Sequence, residues 1–292
     1  MRNDFLINTE SGCIVLNNPA PKSTNGNRVY QPGSVGSGAI ATSNMSHADT
    51  IVRTQKLLDR AIAYAWHTVK SDRRPPKLTP IRWVWQLAGS YHLTRSNVQL
   101  IEEASRRFAA SGRESLAQWA AHKATEEAGH YRLALLDIQS MGYNAQSVVK
   151  ALIPPSAIVL VNYLAESVQA LDPIGCVGYS YTLERIAIGI KEKHIQPVET
   201  LLSPTIRATR CLRVHSSVGG DVEHVKETVE MVAQLAYEER IHVAIACYET
   251  ALLYFNPLAE DYISEEELKD ILKPLESRRD VQRKVDIHSF TR

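Results

Sequence analysis

The chain has 292 residues, is 44% hydrophobic but only 7% aromatic, and carries a formal charge of +1. That length supplies a sizeable core in one large domain or two small ones. The absence of a basic block or charge excess excludes phosphate-backbone binding, and with it nucleic acid, as a main role. Cys13, Cys176, Cys211 and Cys247 lie far apart without a Cys-x-x-Cys pair, which excludes a zinc ribbon or a disulfide framework and fits a reducing compartment. No apolar run is long enough to span a membrane and no signal-peptide stretch opens the chain, so a cytoplasmic protein with no membrane partner is expected.

Residues 1–45 are rich in Asn, Gly, Ser and Pro, as in Asn-Gly-Asn-Arg, and read as a flexible arm. Ser46 or Asp49 is placed to cap a helix through Ile51, Leu58, Ile62 and Trp66, which Arg73-Arg74-Pro75-Pro76 ends. A second helix runs from Pro80 to about Ala110, with Trp83, Trp85, Leu87, Leu93, Val98 and Ile101 as core candidates. After the Ser111-Gly112 break, one long helix is expected from about Glu114 to Ser140, closed by Met141-Gly142-Tyr143. Pro154-Pro155-Ser156 starts an apolar helix. A stretch from about Cys176 to Lys193 follows. Periodicity resumes at Pro197, is interrupted at Gly219-Gly220, and continues through Val222, Val229 and Leu235 to Phe255. The charged tail from about Ser264 reads as a surface helix. No strand pattern emerges, so the expectation is an all-α chain of about seven to eight helices.

Metal-ligand chemistry is the main functional signal. Glu127 and His130, in Ala-Thr-Glu-Glu-Ala-Gly-His-Tyr-Arg, have the spacing that puts a carboxylate and an imidazole about one helical turn apart. Two further acidic-x-x-His pairs, Asp221/His224 and Glu239/His242, occur where chance would place roughly one match in all. Glu184 sits beside Leu183, Ile186 and Ala187, an apolar setting that is costly for an unpaired carboxylate. Carboxylates and imidazoles spread over several helices suit a non-haem iron or di-iron centre. Arg207, Arg210 and Arg213 recur every three residues before His215, and Arg210 and Arg213 are candidates to clamp a substrate carboxylate bidentately.

The segment Glu126-Glu127-Ala-Gly-His130-Tyr-Arg-Leu-Ala-Leu-Leu-Asp137-Ile-Gln-Ser-Met-Gly142, followed by Glu184 and then His215, Asp221 and His224, resembles the haem-oxygenase-like di-iron oxidases, relatives of the thiaminase II and pyrroloquinoline-quinone-synthase fold. The resemblance covers roughly Trp85 to Phe255. It implies a haem-oxygenase-like helical domain over residues 46–258, with the tail 259–292 outside it. It also implies six metal ligands: Glu127, His130, Glu184, His215, Asp221 and His224. Two iron ions, Fe(II)/Fe(III), and O2 as co-substrate would follow. The family's third ligand helix has three residues between its first His and its Asp/Glu, whereas this chain has five between His215 and Asp221. His215 and His224 therefore reach one centre only across a backbone break, and Gly219-Gly220 lies in that gap.

The function so implied is oxidation of a small carboxylate, an amino acid first, by desaturation, N-oxygenation or oxidative C–C cleavage. An external electron donor and a homodimeric state belong to the same expectation. Two alternatives stand beside it. A ferritin-like di-iron protein would use Glu239/His242, with Glu102 or Glu103 and Glu184. A metal-free thiaminase II-like protein would bind or hydrolyse a heterocycle and would need a nucleophilic cysteine.

Overall fold

The fold is described from a computed structural model for residues 46–69, 76–216 and 221–277. The N-terminal arm 1–45, the Arg73–Pro75 stop and Gly219-Gly220 lie outside those residues. The described chain is helical, and its first two helices begin where a side chain satisfies an exposed N–H group. Ser46 accepts the Asp49 N–H at 3.2 Å to start α1 (His47–Thr68). Thr79 accepts the Arg82 N–H, with a proline next in the chain, to start α2 (Pro80–Ala110).

Gly112, with φ +72°, turns the chain into α3 (Glu114–Glu127). Next come α4 (Tyr131–Ser140), α5 (Ala145–Ala151) and the proline-started α6 (Pro155–Gln169). The remaining helices are α7 (Gly175–Ala187), α8 (Glu192–Leu201), α9 (Arg210–Val214), α10 (Asp221–Ala233), α11 (Tyr237–Phe255) and α12 (Glu265–Leu272).

Four expected features resolve differently. Helical order after α7 resumes at Glu192, with Pro197 inside α8. The helix expected from Glu114 to Ser140 is two helices: Ala128 is extended and Gly129 has φ +89°, a left-handed conformation that breaks the ladder. The run from Val222 to Phe255 also divides, at 234–236, into α10 and α11. In the charged tail, α12 does not lie free on the surface. It packs on α2 and buries Leu268 and Leu272 in a cluster with Trp83 and Trp85.

α2 is the spine. At ~1.5 Å per residue its 31 residues run for roughly 45 Å. Its first half, through Trp83, Leu87 and Tyr91, shares a core with α4, α5, α8, α9 and α12. Its second half, through Ile101, Ala104 and Phe108, shares another with α1, α3, α6, α7, α10 and α11. Just after the bend between α3 and α4, Tyr131 packs against Tyr91 and Arg95 near the middle of this spine. Among the described residues no single helix is long and apolar enough to cross a membrane.

α7 and α11 approach each other closely at Gly178. A Cβ at Gly178 would lie 2.5 Å from the Val243 carbonyl oxygen and 2.6 Å from the Ala246 Cβ. The obstructing atom at Val243 is backbone, so the helices must part to admit a methyl group. Gly178→Ala is expected to destabilise the protein by about 2–3 kcal/mol, as overpacking does, read as a lower urea midpoint by circular dichroism. An unchanged midpoint would show that the two backbones are not held in contact.

Candidate metal centre and cavity

Glu127 is the last residue of α3, and His130 is the residue before α4. The pair thus straddles the bend at Gly129 and does not lie on one continuous helical face. His130 Nδ1 lies 3.2 Å from Glu127 Oε2. His215 caps the C-terminus of α9 and brings its ring edge-on to His130, with centroids 4.7 Å apart. One potential ligand atom from each of Glu127, His130 and His215 falls within 4.8 Å of the others. Burial works to raise the Glu127 pKa. The His130 contact and the charges of His215, His130 and Lys123 outweigh it and hold the carboxyl below its ordinary value. Two imidazoles and an ionised carboxylate around one point fit a divalent iron with open positions.

His215 owes its place to contacts made before it. The five-residue α9 is too short to be stable by itself. Its N-terminal half is gripped by Asp137 on α4, a fully buried carboxylate that accepts the Cys211 N–H and an Arg210 N–H, both at 2.9 Å. Trp83 Nε1 holds the preceding strand of chain by donating to the Ala208 carbonyl at 2.7 Å. Burial pushes the Asp137 carboxyl up; the Cys211 N–H and Arg210 act against it but do not cancel it.

The other implied ligands are gathered differently. Glu184, on α7 and 8% exposed, meets Lys123 Nζ at 2.9 Å. Lys123, on α3 and 3% exposed, also meets Glu126 Oε2 at 2.7 Å. The second oxygen of Glu126 lies 2.8 Å from His224 Nε2, on α10, and 3.1 Å from the exposed His122. Burial opposes the Lys123 ammonium, but Glu184 and Glu126 outweigh it and hold its pKa above the usual lysine value. Asp221 opens α10, and its side chain lies outside the described residues. Among the described residues the donor set therefore fits one ion at Glu127, His130 and His215, while an ammonium stands between carboxylates in the other half.

Arg210 and Arg213, the candidate substrate clamps, are both engaged within the protein. Arg210 is engaged by Asp137, Ser140 and the Arg207 carbonyl, and Arg213 makes paired bonds to Glu192 and Glu199 near 3.0 Å. Neither lines the cavity beside the Glu127, His130 and His215 triad. The second Glu-x-x-His is also elsewhere: Glu239 caps α11 and pairs with Arg113 at the far end of α3, and His242 is exposed. A ferritin-like set built on that pair therefore does not assemble in the core. Lys123 has no role in the sequence pattern, and Glu126, set about a quarter turn from Glu127 on an ideal helix, is its partner. A lysine between Ala120 and Ala124 on a buried face was the available sign.

Glu127, Lys123, Glu184 and His215 form one wall of a cavity that is otherwise mostly apolar, lined by Trp83, Trp85, Leu93, Ile101, Leu160 and Leu212 among others. Within it, Tyr179 Oη, Gln86 Oε1 and Asn97 Oδ1 have no hydrogen-bond partner among the described residues. Burial, with the Glu127 charge adding to it, pushes the Tyr179 hydroxyl well above its ordinary value.

No protein-family model matches the sequence, and no curated protein matches it. Solved structures do. A domain of unknown function with a haem oxygenase-like fold from Shewanella denitrificans OS217 aligns over 80% of this chain and 94% of its own, with TM-score 0.52 and 21% identity. The chain has the haem-oxygenase-like fold. A TenA homologue from Pseudomonas syringae pv. tomato DC3000 aligns over 72% of this chain and 94% of its own, with TM-score 0.54 and 12% identity. At these identities the likeness concerns the backbone.

Removing Asp137 would strand the buried Cys211 N–H, while the half-exposed Arg210 keeps Ser140 and the Arg207 carbonyl. Asp137→Ala is expected to cost about 1–3 kcal/mol and to weaken any metal binding through His215. Arg213→Met, at a half-exposed ion pair, should cost under about 1 kcal/mol. Thermal melts and metal titration of the two variants check this ordering.

Proposed function

We propose that this protein is an iron-dependent enzyme that uses O2 to oxidise a small carboxylic acid with an apolar body, an apolar amino acid first. The reading rests on one observation: a two-imidazole, one-carboxylate triad, Glu127, His130 and His215, opens onto an apolar cavity. Iron held there would supply electrons and open coordination positions for O2. Any electrons beyond those of the metal would come from an external donor.

The chain's own groups have separable tasks. Glu127, held ionised, presents its negative charge to a cation at neutral pH. Trp83, Trp85, Leu160 and Leu212 exclude water and receive the apolar body of the substrate. Tyr179 keeps its proton, because burial raises its pKa, and can donate to a substrate carboxylate. Gln86 and Asn97 offer amide groups on the same cavity to fix the orientation of polar substituents.

The thiaminase II-like alternative would call on Cys211, the described cysteine that lines the cavity. Burial, with the charges of Asp137 and Glu127 adding to it, pushes that thiol up to about 12. At neutral pH that shift keeps the thiol protonated. A nucleophile needs the opposite shift.

The two readings separate by mutation. His215→Ala is expected to weaken Fe(II) binding by at least about a hundredfold, since even outer-shell losses cost 10–100-fold, and to abolish O2 uptake with apolar amino acids and short fatty acids. Cys211→Ser should leave both intact. Anaerobic Fe(II) titration followed by oxygen-electrode measurements provides the readout. Activity that survives His215→Ala and dies with Cys211→Ser would reverse the assignment.

A further inference from the structure

We propose that Lys123 takes the place of a second metal ion, so that the protein carries one tightly bound ion per chain. This rests on the reading of Glu127, His130 and His215 as the first ion's ligands. Around Lys123 three helices bring together groups that would otherwise suit a cation: Glu126 from α3 itself, Glu184 from α7, and His224 from α10 behind Glu126. The ammonium lies 2.7 Å from one carboxylate and 2.9 Å from the other, distances of charge-assisted hydrogen bonds.

Two arguments make Lys123 a competitor for a metal and not a bystander. The first is space. A divalent ion binds carboxylate oxygen at about 2.0–2.2 Å, so an ion shared by Glu126 and Glu184 would occupy the volume now filled by Nζ. The second is charge. The lysine is 3% exposed, and a buried cation deprived of its carboxylates is strongly disfavoured. A metal ion that recruited Glu126 and Glu184 would leave the ammonium beside a second positive charge with its compensation removed. The same geometry separates the two halves of the centre. One is a metal site, and the other is closed by an internal salt bridge.

The surface trio His122, Glu126 and Glu227 is a second place where an ion might collect, so the test removes it. In a His122→Ala chain, Co(II) is titrated with visible absorption as readout, and retained metal is counted by mass spectrometry after gel filtration. One equivalent is expected. Adding Lys123→Met, or Lys123→Gln if that variant does not fold, should raise the count to two, and Glu184→Gln on top should return it to one. Two equivalents with Lys123 in place overturn the proposal and leave the metal reading intact. A count that stays at one after Lys123 is replaced does the same. No retained metal in any of these chains overturns both.

Discussion

A buried ammonium between two carboxylates is the constraint on which this helical assembly turns. Lys123 and Glu126 belong to α3, Glu184 to α7, and Glu126 hands the interaction on to His224 of α10. Each of these charges would be expensive alone in a core built from Leu, Val and Ala. Together they satisfy one another, and they do so only if three helices meet in one register. The network therefore selects a mutual placement of helices more than it adds to net stability.

The triad of Glu127, His130 and His215, the proposed metal ligands, is held by a separate device. Glu127 and His130 face each other because Gly129 bends the chain between α3 and α4, and His215 arrives from a short helix anchored by Asp137. The ligands thus come from helix ends, where side-chain direction is set by turns and buried hydrogen bonds. The cavity beyond is apolar, so the polar groups that do enter it, Tyr179, Gln86 and Asn97, have an influence out of proportion to their number.

Much of the helical layout is legible in the sequence because its signals are local. Ser46, Pro155, Gly112 and Gly142 act within one turn of themselves, and each marks the boundary expected of it. The break at Gly129 is not legible in this way, since Glu-x-x-His reads as one face of an unbroken helix. The site is legible in its residue types and less so in their partners. Glu126 points away from Glu127 on an ideal helix, yet it meets His224 from a helix about a hundred residues later in the chain. Arg213 looked available for a substrate until Glu192 and Glu199 were folded against it. Such pairings depend on tertiary placement, which neither periodicity nor capping encodes.

Gly178 carries a consequence for how this sequence can change length. Inserting one residue in α7 would turn everything beyond it by about 100° and advance it by about 1.5 Å. An insertion before Gly178 would place a different side chain against the Val243 carbonyl, and one between Gly178 and Glu184 would swing the carboxylate off Lys123. Two positions six residues apart, one demanding no side chain and the other demanding a charge, thus fix the spacing of a helix. Insertions and deletions that preserve this architecture should fall in the connections outside α7, where neither the close backbone approach nor the buried charge counts residues.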